Sequence, residues 1–531
     1  MLANHSLLTH RITVSHSLRQ KTERSRANSR VRIWSRARRT PPAAAPATAR
    51  PKSSNPSTRA SSTTNVAFMS IPSVTPAVSN QGVKICALLV AFAAAFAFAL
   101  RAKRPRNKFK VVILGAGFAG VQCARDLMST HDVEVVEAKE YFEFVPGTLA
   151  ALVGGEPLRK RRTTDADAKR TQRCLMVPYE KIFKRGKNGV KVTLTRGRDV
   201  YVRDDCVIIR GTTPAEDVRC RYDALVIATG TTYAGVIKSK ASGRDLTIDG
   251  RLESYAEARA SIARGKSRTV VVGGGVVGVE LAAELAARAA VANNGSSVVL
   301  LHAGPRLLEQ LPESISSYAT RALVRAGVEV CVGQKYSREG DGVAFIGAAN
   351  KNVIRGDYAL MAIGSTPATE FLRSRDDATR ASSSSNGALE VPLDRNGRIR
   401  IDESTRAVVG RDRVYAVGDV ASKSPEYMLA SYAHWEAEYV AHRIKCDGNA
   451  KKLVKLGPYV PPPRFMAISL GSFDGVFVWG DRVVATGIVA AVFKAIVQFW
   501  FIRFLPAPYG ILKHVPHMRA SPVAKWIAPV S

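Results

Sequence analysis

From Phe109 onward, short apolar runs alternate with stretches in which apolar residues recur every three or four positions. The runs Val111-Val-Ile-Leu114, Val133-Glu-Val-Val136, Leu225-Val-Ile227, Val270-Val-Val272 and Val298-Val-Leu-Leu301 have the texture of strands buried on both faces. The stretches 121–129, 279–288 and 429–444 read as helices. In the last of these, Ala430, Ala433, Ala437 and Ala441 stand at helical spacing, a small-residue face that allows close approach to neighbours. Strands alternating with helices predict an α/β fold with parallel sheets. Two polar stretches, 159–173 and 374–386, interrupt the pattern and read as surface insertions. After about Lys455, a hinge at Pro461-Pro-Pro463 leads into a separate C-terminal segment.

The pattern before Phe109 is different. Residues 1–65 are rich in Arg, Ser, Thr, Ala and Pro and nearly free of acid, the composition of a mitochondrial or plastid transit peptide. Met69 leaves a second translation start open. Residues 85–100 form an uncharged apolar run followed by Arg101, Lys103, Arg104 and Arg106. As a helix it spans about 24 Å, short of the roughly 30 Å hydrocarbon core. A membrane anchor is the expectation, with a signal-peptide core or part of a bipartite targeting signal as the rivals.

Two runs end in glycine-rich turns. In Lys110-Val-Val-Ile-Leu-Gly115-Ala-Gly117-Phe-Ala-Gly120 a strand passes through G-x-G-x-x-G into a helix. Gly115 permits the tight turn, Gly117 lets the backbone approach a pyrophosphate, and Gly120 lets helix and strand pack closely. Glu137 closes the next strand, where an acid accepts hydrogen bonds from ribose hydroxyls. The second turn, Val272-Gly273-Gly-Gly275-Val-Val-Gly278-Val-Glu280, repeats the arrangement, but its following strand ends in His302. A carboxylate there favours NAD and repels the 2′-phosphate of NADP; a neutral His302 with Arg306 nearby is compatible with either, or His302 merely caps the strand. NADH and NADPH both stay open.

Composition refines this picture in two ways. The 531 residues are 46% hydrophobic, ordinary for two or three globular domains. The formal charge of +34 would point to nucleic acid or anionic membrane, yet twenty basic residues precede Val111 against the single acid Glu23. Much of the excess therefore belongs to the tail, and no nucleic-acid partner is expected. The seven cysteines, Cys86, Cys123, Cys174, Cys206, Cys220, Cys331 and Cys446, include no closely spaced pair, which argues against a dithiol mechanism.

With the segment Tyr222-Asp-Ala-Leu-Val-Ile-Ala-Thr229-Gly230 between the turns, then Ala359-Leu-Met-Ala-Ile-Gly364-Ser-Thr-Pro367 and Arg413-Val-Tyr-Ala-Val-Gly418-Asp419-Val, the chain resembles the two-dinucleotide-binding flavoproteins, which include disulfide reductases and type II NADH dehydrogenases. The resemblance covers about 108–445. It implies FAD at the first turn, with Thr229, Gly230, Gly364 and Gly418 among the cofactor-binding residues and Asp419 on the ribityl chain, and NADH or NADPH at the second. It also implies an NAD(P) domain inserted into the FAD domain, with boundaries near Arg251 and Val391, and the helix after Asp419 beside the flavin ring. The missing cysteine pair, Leu300-Leu-His302 and Ser469-Leu-Gly471-Ser-Phe-Asp474-Gly475-Val lean towards the apoptosis-inducing-factor-like and ferroptosis-suppressor branch, whereas Tyr141-Phe-Glu-Phe-Val-Pro146-Gly also looks like the type II dehydrogenases.

The expected organisation is therefore a targeting-like segment (1–84), an apolar run (85–100), the FAD domain in two parts (108–250 and 391–455) around the NAD(P)H domain (251–390), and a membrane-associating C-terminal segment (456–531). By the resemblance Glu280 contacts the nicotinamide end; otherwise it is a first-turn carboxylate favoured by the helix dipole. The residues after Val476 mix Phe, Trp and Val with Lys494 and Arg503, which suits a membrane interface where a quinone is met; a core helix is the competing reading. The expected function is an FAD-dependent NAD(P)H:quinone oxidoreductase at an organellar membrane, with a homodimer left open. The alternative is a redox-sensitive flavin scaffold with weak activity that binds protein or nucleic acid.

Overall fold

A computed structural model of the protein describes residues 109–154, 164–183, 189–233, 235–263, 267–339, 343–372 and 389–505. The targeting-like segment, the apolar run at 85–100, the polar stretch 374–386 and everything after Leu505 lie outside the described residues.

The chain enters a parallel sheet with β1 (Lys110–Leu114), continues through helix α1 (Phe118–Leu127) to β2 (Asp132–Glu137), and adds β3 (Lys191–Leu194) and β4 (Ala224–Ile227). It leaves through α2 (Ile248–Ile262) for a second parallel sheet made of β5 (Arg268–Val272), β6 (Ser297–Leu301), β7 (Val328–Cys331) and β8 (Tyr358–Met361), which carries α3 (Val276–Ala292) and α4 (Glu313–Arg325). It then returns to the first sheet as β9 (Val414–Ala416), followed by α5 (Ala430–Lys445). The strand orders are β9-β4-β1-β2-β3 and β7-β6-β5-β8, so the second sheet is inserted between two strands that lie side by side in the first. A three-stranded antiparallel meander, β10 (Phe465–Ser469), β11 (Gly475–Trp479) and β12 (Arg482–Thr486), precedes the last helix, α6 (Gly487–Phe504).

Each sheet is covered on both faces, which is why its strands are continuous apolar runs. Along β1, Val111 and Ile113 face a core shared with α1 and α5, while Val112 and Leu114 face a second core built with Val207, Ile209 and Val414. The alanine face of α5 is used for packing: Ala433, Ala437 and Ala441 are buried in the core that also contains Ala119, Cys123 and Ala124 of α1. The helices after both turns begin three residues earlier than the periodicity predicts, because Gly117 and Gly275 are themselves the N-caps.

One expected insertion is partly structured. Within 159–173, Thr164 starts a helix, Asp165–Cys174, through a capping box in which its hydroxyl accepts from Asp167 N–H. Gln172 on that helix is fully buried and donates to Ala151 O at 2.8 Å. High polarity hid the helix, although the Thr-Asp-Ala-Asp cap is visible in the sequence.

Candidate functional site

The first turn is shaped by its glycines. Gly115 has φ +92° and donates its N–H to Val136 O at 2.8 Å. A Cβ on Gly120 would lie 1.9 Å from Gly115 O, so only glycine lets α1 start this close to β1. Around Gly117, by contrast, no atom lies within 4 Å of where a side chain would begin, and this opening faces the N-terminus of α1. An anion placed there meets unpaired backbone N–H groups and the positive end of the helix dipole.

Glu137, at the end of β2, is held against this turn. Its Oε2 accepts from Ala116 N–H at 2.6 Å and its Oε1 from Ala138 N–H at 2.8 Å. The buried Tyr179 donates to Ala116 O at 2.9 Å and fixes the turn from the other side; burial drives its phenol well above the usual tyrosine range. Sequence reasoning did not find Tyr179, because it lies on a short helix far from any glycine motif.

Thr229 and Gly230 meet the Gly364 segment across the chain. Thr229 donates to Ala368 O at 2.8 Å, and Thr231 and Thr232 pair antiparallel with Pro367 and Thr366. This clasp joins the ends of the two parallel sheets and sets their glycine turns in one frame. Gly364 has φ +75° with open space around it, and its neighbour Ser365 is one wall of a cavity of about 780 Å³ lined also by Arg395, Arg398, Arg400 and Lys423. Gly418 also has φ +75°; its N–H donates to the fully buried Glu436 at 2.7 Å, which in turn pairs with Lys423 at 2.9 Å. Asp419 is half-buried, with its backbone carbonyl bound by Arg398. Burial pushes the Lys238 ammonium down, opposed by the Asp419 charge, and Lys238 donates to Thr231 at 3.3 Å. Lys238 thus stands with Gly230 and Asp419, a cation the motifs did not reveal.

The second turn repeats the first. Gly273 has φ +123°, and a Cβ on Gly278 would lie 1.7 Å from Gly273 O, while the space around Gly275 is open for 4 Å. His302 does more than end β6. Its Nδ1 accepts from Gly274 N–H at 3.2 Å, and its ring fills the place a side chain on Gly274 would need.

Glu280 is not in the first turn of its helix, since α3 starts at Val276 and carries no acid there, so the dipole reading does not hold. Its carboxylate accepts from Ser469 N–H at 2.7 Å and pairs with Lys494 of α6 at 2.5 Å. One turn on, Glu284 accepts from Ser469 Oγ at 2.8 Å, and burial raises its pKa against the pull of Ser469 and Lys494. These groups line a narrow cleft with Pro146, Gly147 and Gln498. Lys494 was read only as a basic residue of the membrane-associating segment, and Glu284 was not foreseen; their partners Glu280 and Ser469 lie 214 and 185 residues away in sequence.

Phe501 of α6 packs against Phe118, Phe142 and Phe144 with centroids 5.1, 5.9 and 5.4 Å apart. Its neighbour face is exposed: Ile488, Val489, Ile496, Phe499 and Trp500 form one apolar stripe on α6, with Arg503 at its end. Among the described residues no helix is long and apolar enough to cross a membrane. The six described cysteines are all free, and among the described residues no cluster of acids, histidines and cysteines could hold a metal.

The sequence pattern of the pyridine nucleotide-disulphide oxidoreductases matches residues 109–437. Over 394 residues the chain is 25% identical to apoptosis-inducing factor homolog A of Dictyostelium discoideum, covering 70% of this chain and 85% of the relative. Over 377 residues it is 27% identical to ferroptosis suppressor protein 1 of Xenopus laevis, covering 69% and 87%. The fold is similar to that of a Plasmodium falciparum NDH2 solved in complex with NADH, at a TM-score of 0.55 and 17% identity, covering 77% of this chain and 98% of that one.

Proposed function

Because the chain belongs to the pyridine nucleotide-disulphide oxidoreductase family, we propose that it carries electrons from NAD(P)H through FAD to a quinone-type acceptor met at a membrane surface. Its cofactors are FAD with NAD(P)H, and it is an oxidoreductase. The finer assignment puts FAD at the Gly115 turn with Glu137 and Asp419, and the nicotinamide dinucleotide at the Gly273 turn. The fit supports this: at both turns the middle glycine opens on free space at a helix N-terminus, while the outer glycines close the strand-helix contact.

Flavin and nicotinamide supply hydride and electron transfer when bound; the protein supplies position and field. Gly115, Gly117 and Gly120 admit a pyrophosphate, Glu137 offers its carboxylate to ribose hydroxyls, and the Thr229–Ala368 clasp holds the two sites in register. The Glu280–Lys494 pair fixes α6 over the cleft and orients the groups that line it.

The observation that carries the acceptor reading is the two-sidedness of α6. One face reaches the cleft through Lys494 and Gln498, and the other presents an apolar stripe to solvent. Such a helix lies in a membrane interface rather than across it, and brings a lipophilic acceptor next to the cleft. The lack of a closely spaced cysteine pair in the sequence supports the same reading. The test uses the full FAD-loaded protein under anaerobic conditions. Rapid flavin reduction by NAD(P)H followed by rapid reoxidation with a short-chain ubiquinone analogue is expected. Flavin that is reduced but reoxidised only by oxygen would refute the quinone assignment.

A further inference from the structure

The strand after the second turn lacks an acid, but the loop that follows brings one to its end. After His302 the chain curls back so that Leu308, in the left-handed region at φ +53°, donates its N–H to Gly274 O at 2.8 Å. Leu307 and Leu308 are each 1% exposed and anchor the loop on the turn. The next residue, Glu309, extends its carboxylate to within 3.4 Å of His302 Nε2. Its Oε1 takes the space over Gly304, 1.3 Å from where a Cβ on that glycine would start, so Gly304 is what admits it.

The tautomer follows from the partners. His302 Nδ1 accepts from Gly274 N–H and carries no proton, so the proton of the neutral ring is on Nε2, facing Glu309. That Nε2 has no hydrogen-bond partner despite being buried. The buried N–H faces the Glu309 carboxylate, and it is this partly exposed carboxylate that can accept from a ligand hydroxyl. Arg306, the cation that could have received a phosphate, is turned inward: its guanidinium donates to Leu308 O at 3.3 Å and Glu309 O at 2.8 Å.

We propose that Glu309, seven residues beyond His302, is the donor-specificity residue of this protein, and that it selects NADH over NADPH. The proposal rests on the reading of the Gly273 turn as the nicotinamide dinucleotide site. In sites of this kind an acid accepts from the ribose 2′-hydroxyl, and an arginine with free donors receives the 2′-phosphate. A 2′-phosphate brings about −1.5 to −2 charges at neutral pH, and here it would meet the Glu309 carboxylate beside an Arg306 that spends two of its five donors on the backbone of its own loop. Glu309 is 42% exposed, so solvent and salt weaken the repulsion and the discrimination is moderate.

The test measures both donors on the full FAD-loaded protein: kcat/KM with a soluble quinone, anaerobic flavin reduction, and calorimetric binding of NAD+ and NADP+. NADH is expected to exceed NADPH by about ten-fold or more in kcat/KM, and NAD+ to bind more tightly than NADP+, with the gap narrowing as salt is raised. Glu309→Gln keeps the shape and removes the charge; it should weaken NADH and NAD+ and improve NADPH and NADP+, so that the NADP+/NAD+ Kd ratio shifts by roughly ten-fold or more. Arg306→Ala should leave the NADH preference in place. Equal donors in the wild type, or a Glu309→Gln protein with an unchanged Kd ratio, would overturn the assignment. If neither donor reduces the flavin, the oxidoreductase reading of the site fails instead, and the two Kd values still decide the role of Glu309.

Discussion

A single added methyl group separates the two halves of the site. At Gly120 and at Gly278 a Cβ would meet the carbonyl of the first glycine of its own turn at 1.9 and 1.7 Å, and backbone cannot move aside as a flexible side chain can. Overpacking of this sort costs about 1–3 kcal/mol and displaces the helix terminus proposed to receive the phosphates. Gly120→Ala should therefore lose bound flavin, visible as loss of the yellow absorbance after gel filtration. Gly278→Ala should stay yellow but show a KM for its nicotinamide donor raised by ten-fold or more. The reverse pattern would exchange the two sites.

Also at this scale, Arg251 is fully buried and donates to Glu143 at 2.8 Å, and Tyr255 donates to the same carboxylate at 2.8 Å. Burial alone would raise the Glu143 pKa, but the charges and hydrogen bonds of Arg251, Lys139 and Ser239 outweigh it and hold the carboxyl at about 2. The unfolded carboxyl takes up its proton near 4.5, so this contribution to stability is complete above that pH and is lost as pH falls from 4.5 towards 2. Urea midpoints at pH 7, 5 and 3 should drop most over the last interval. Glu143→Gln should be less stable at pH 7 and show a shallower drop, since one proton-linked group is gone; Glu134, held at about 2 by Lys110 and Lys191 against its own burial, keeps part of the slope. Parallel losses in both proteins would show that Glu143 is not linked.

At the scale of the element, α6 is the least self-explanatory helix. It is apolar almost all round, which ordinarily means burial, yet Val489 and Phe499 are 63% and 64% exposed. Its inner face is accounted for by Phe501 on the aromatic cluster, Lys494 on Glu280, and the C-terminal carbonyl of Leu505 accepting from Arg125 at 2.7 Å. The exposed stripe is what a lipid interface would cover. Phe499→Glu with Trp500→Glu should abolish co-sedimentation of the full-length protein with anionic phosphatidylserine-containing vesicles relative to the wild type, while NAD(P)H oxidation with a water-soluble acceptor stays within about two-fold. Unchanged sedimentation would place membrane attachment elsewhere, and equal loss of soluble activity would mean the stripe is part of the fold.

For the whole molecule, the distribution of thiols limits where electrons go. Cys123 and Cys220 are buried, and burial raises both thiols, Cys220 to about 12 with further help from the adjacent Glu134. Thiols held protonated are poor nucleophiles and poor redox partners. Treatment with iodoacetamide at pH 7 should label the exposed Cys174 and leave quinone-dependent NAD(P)H oxidation intact. Loss of activity in step with alkylation would restore the dithiol alternative.

Much of this was legible in one dimension. Strand runs and glycine spacing depend on neighbours a few positions apart, so β1, β2, β5, β6 and both turns could be read from residue order, as could Glu137 at the end of β2. The return of the chain to the first sheet as β9 was implied only by the family resemblance. The Asp165–Cys174 helix was missed because its burial rests on one glutamine and one alanine rather than on an apolar stripe. Glu280 was noticed, but what it touches was not, because Lys494 and Ser469 come from the C-terminal segment and only folding sets them beside α3. The same holds for Glu309. Its identity is in the sequence, but its position at the end of β6 depends on a left-handed turn at Leu308 docking on Gly274, a contact between backbone groups that side-chain patterns do not encode. Residue order thus determined which local units form and which cofactors they can take. Tertiary structure alone decided which charged groups meet at those units, because that depends on loops closing across long separations in the chain.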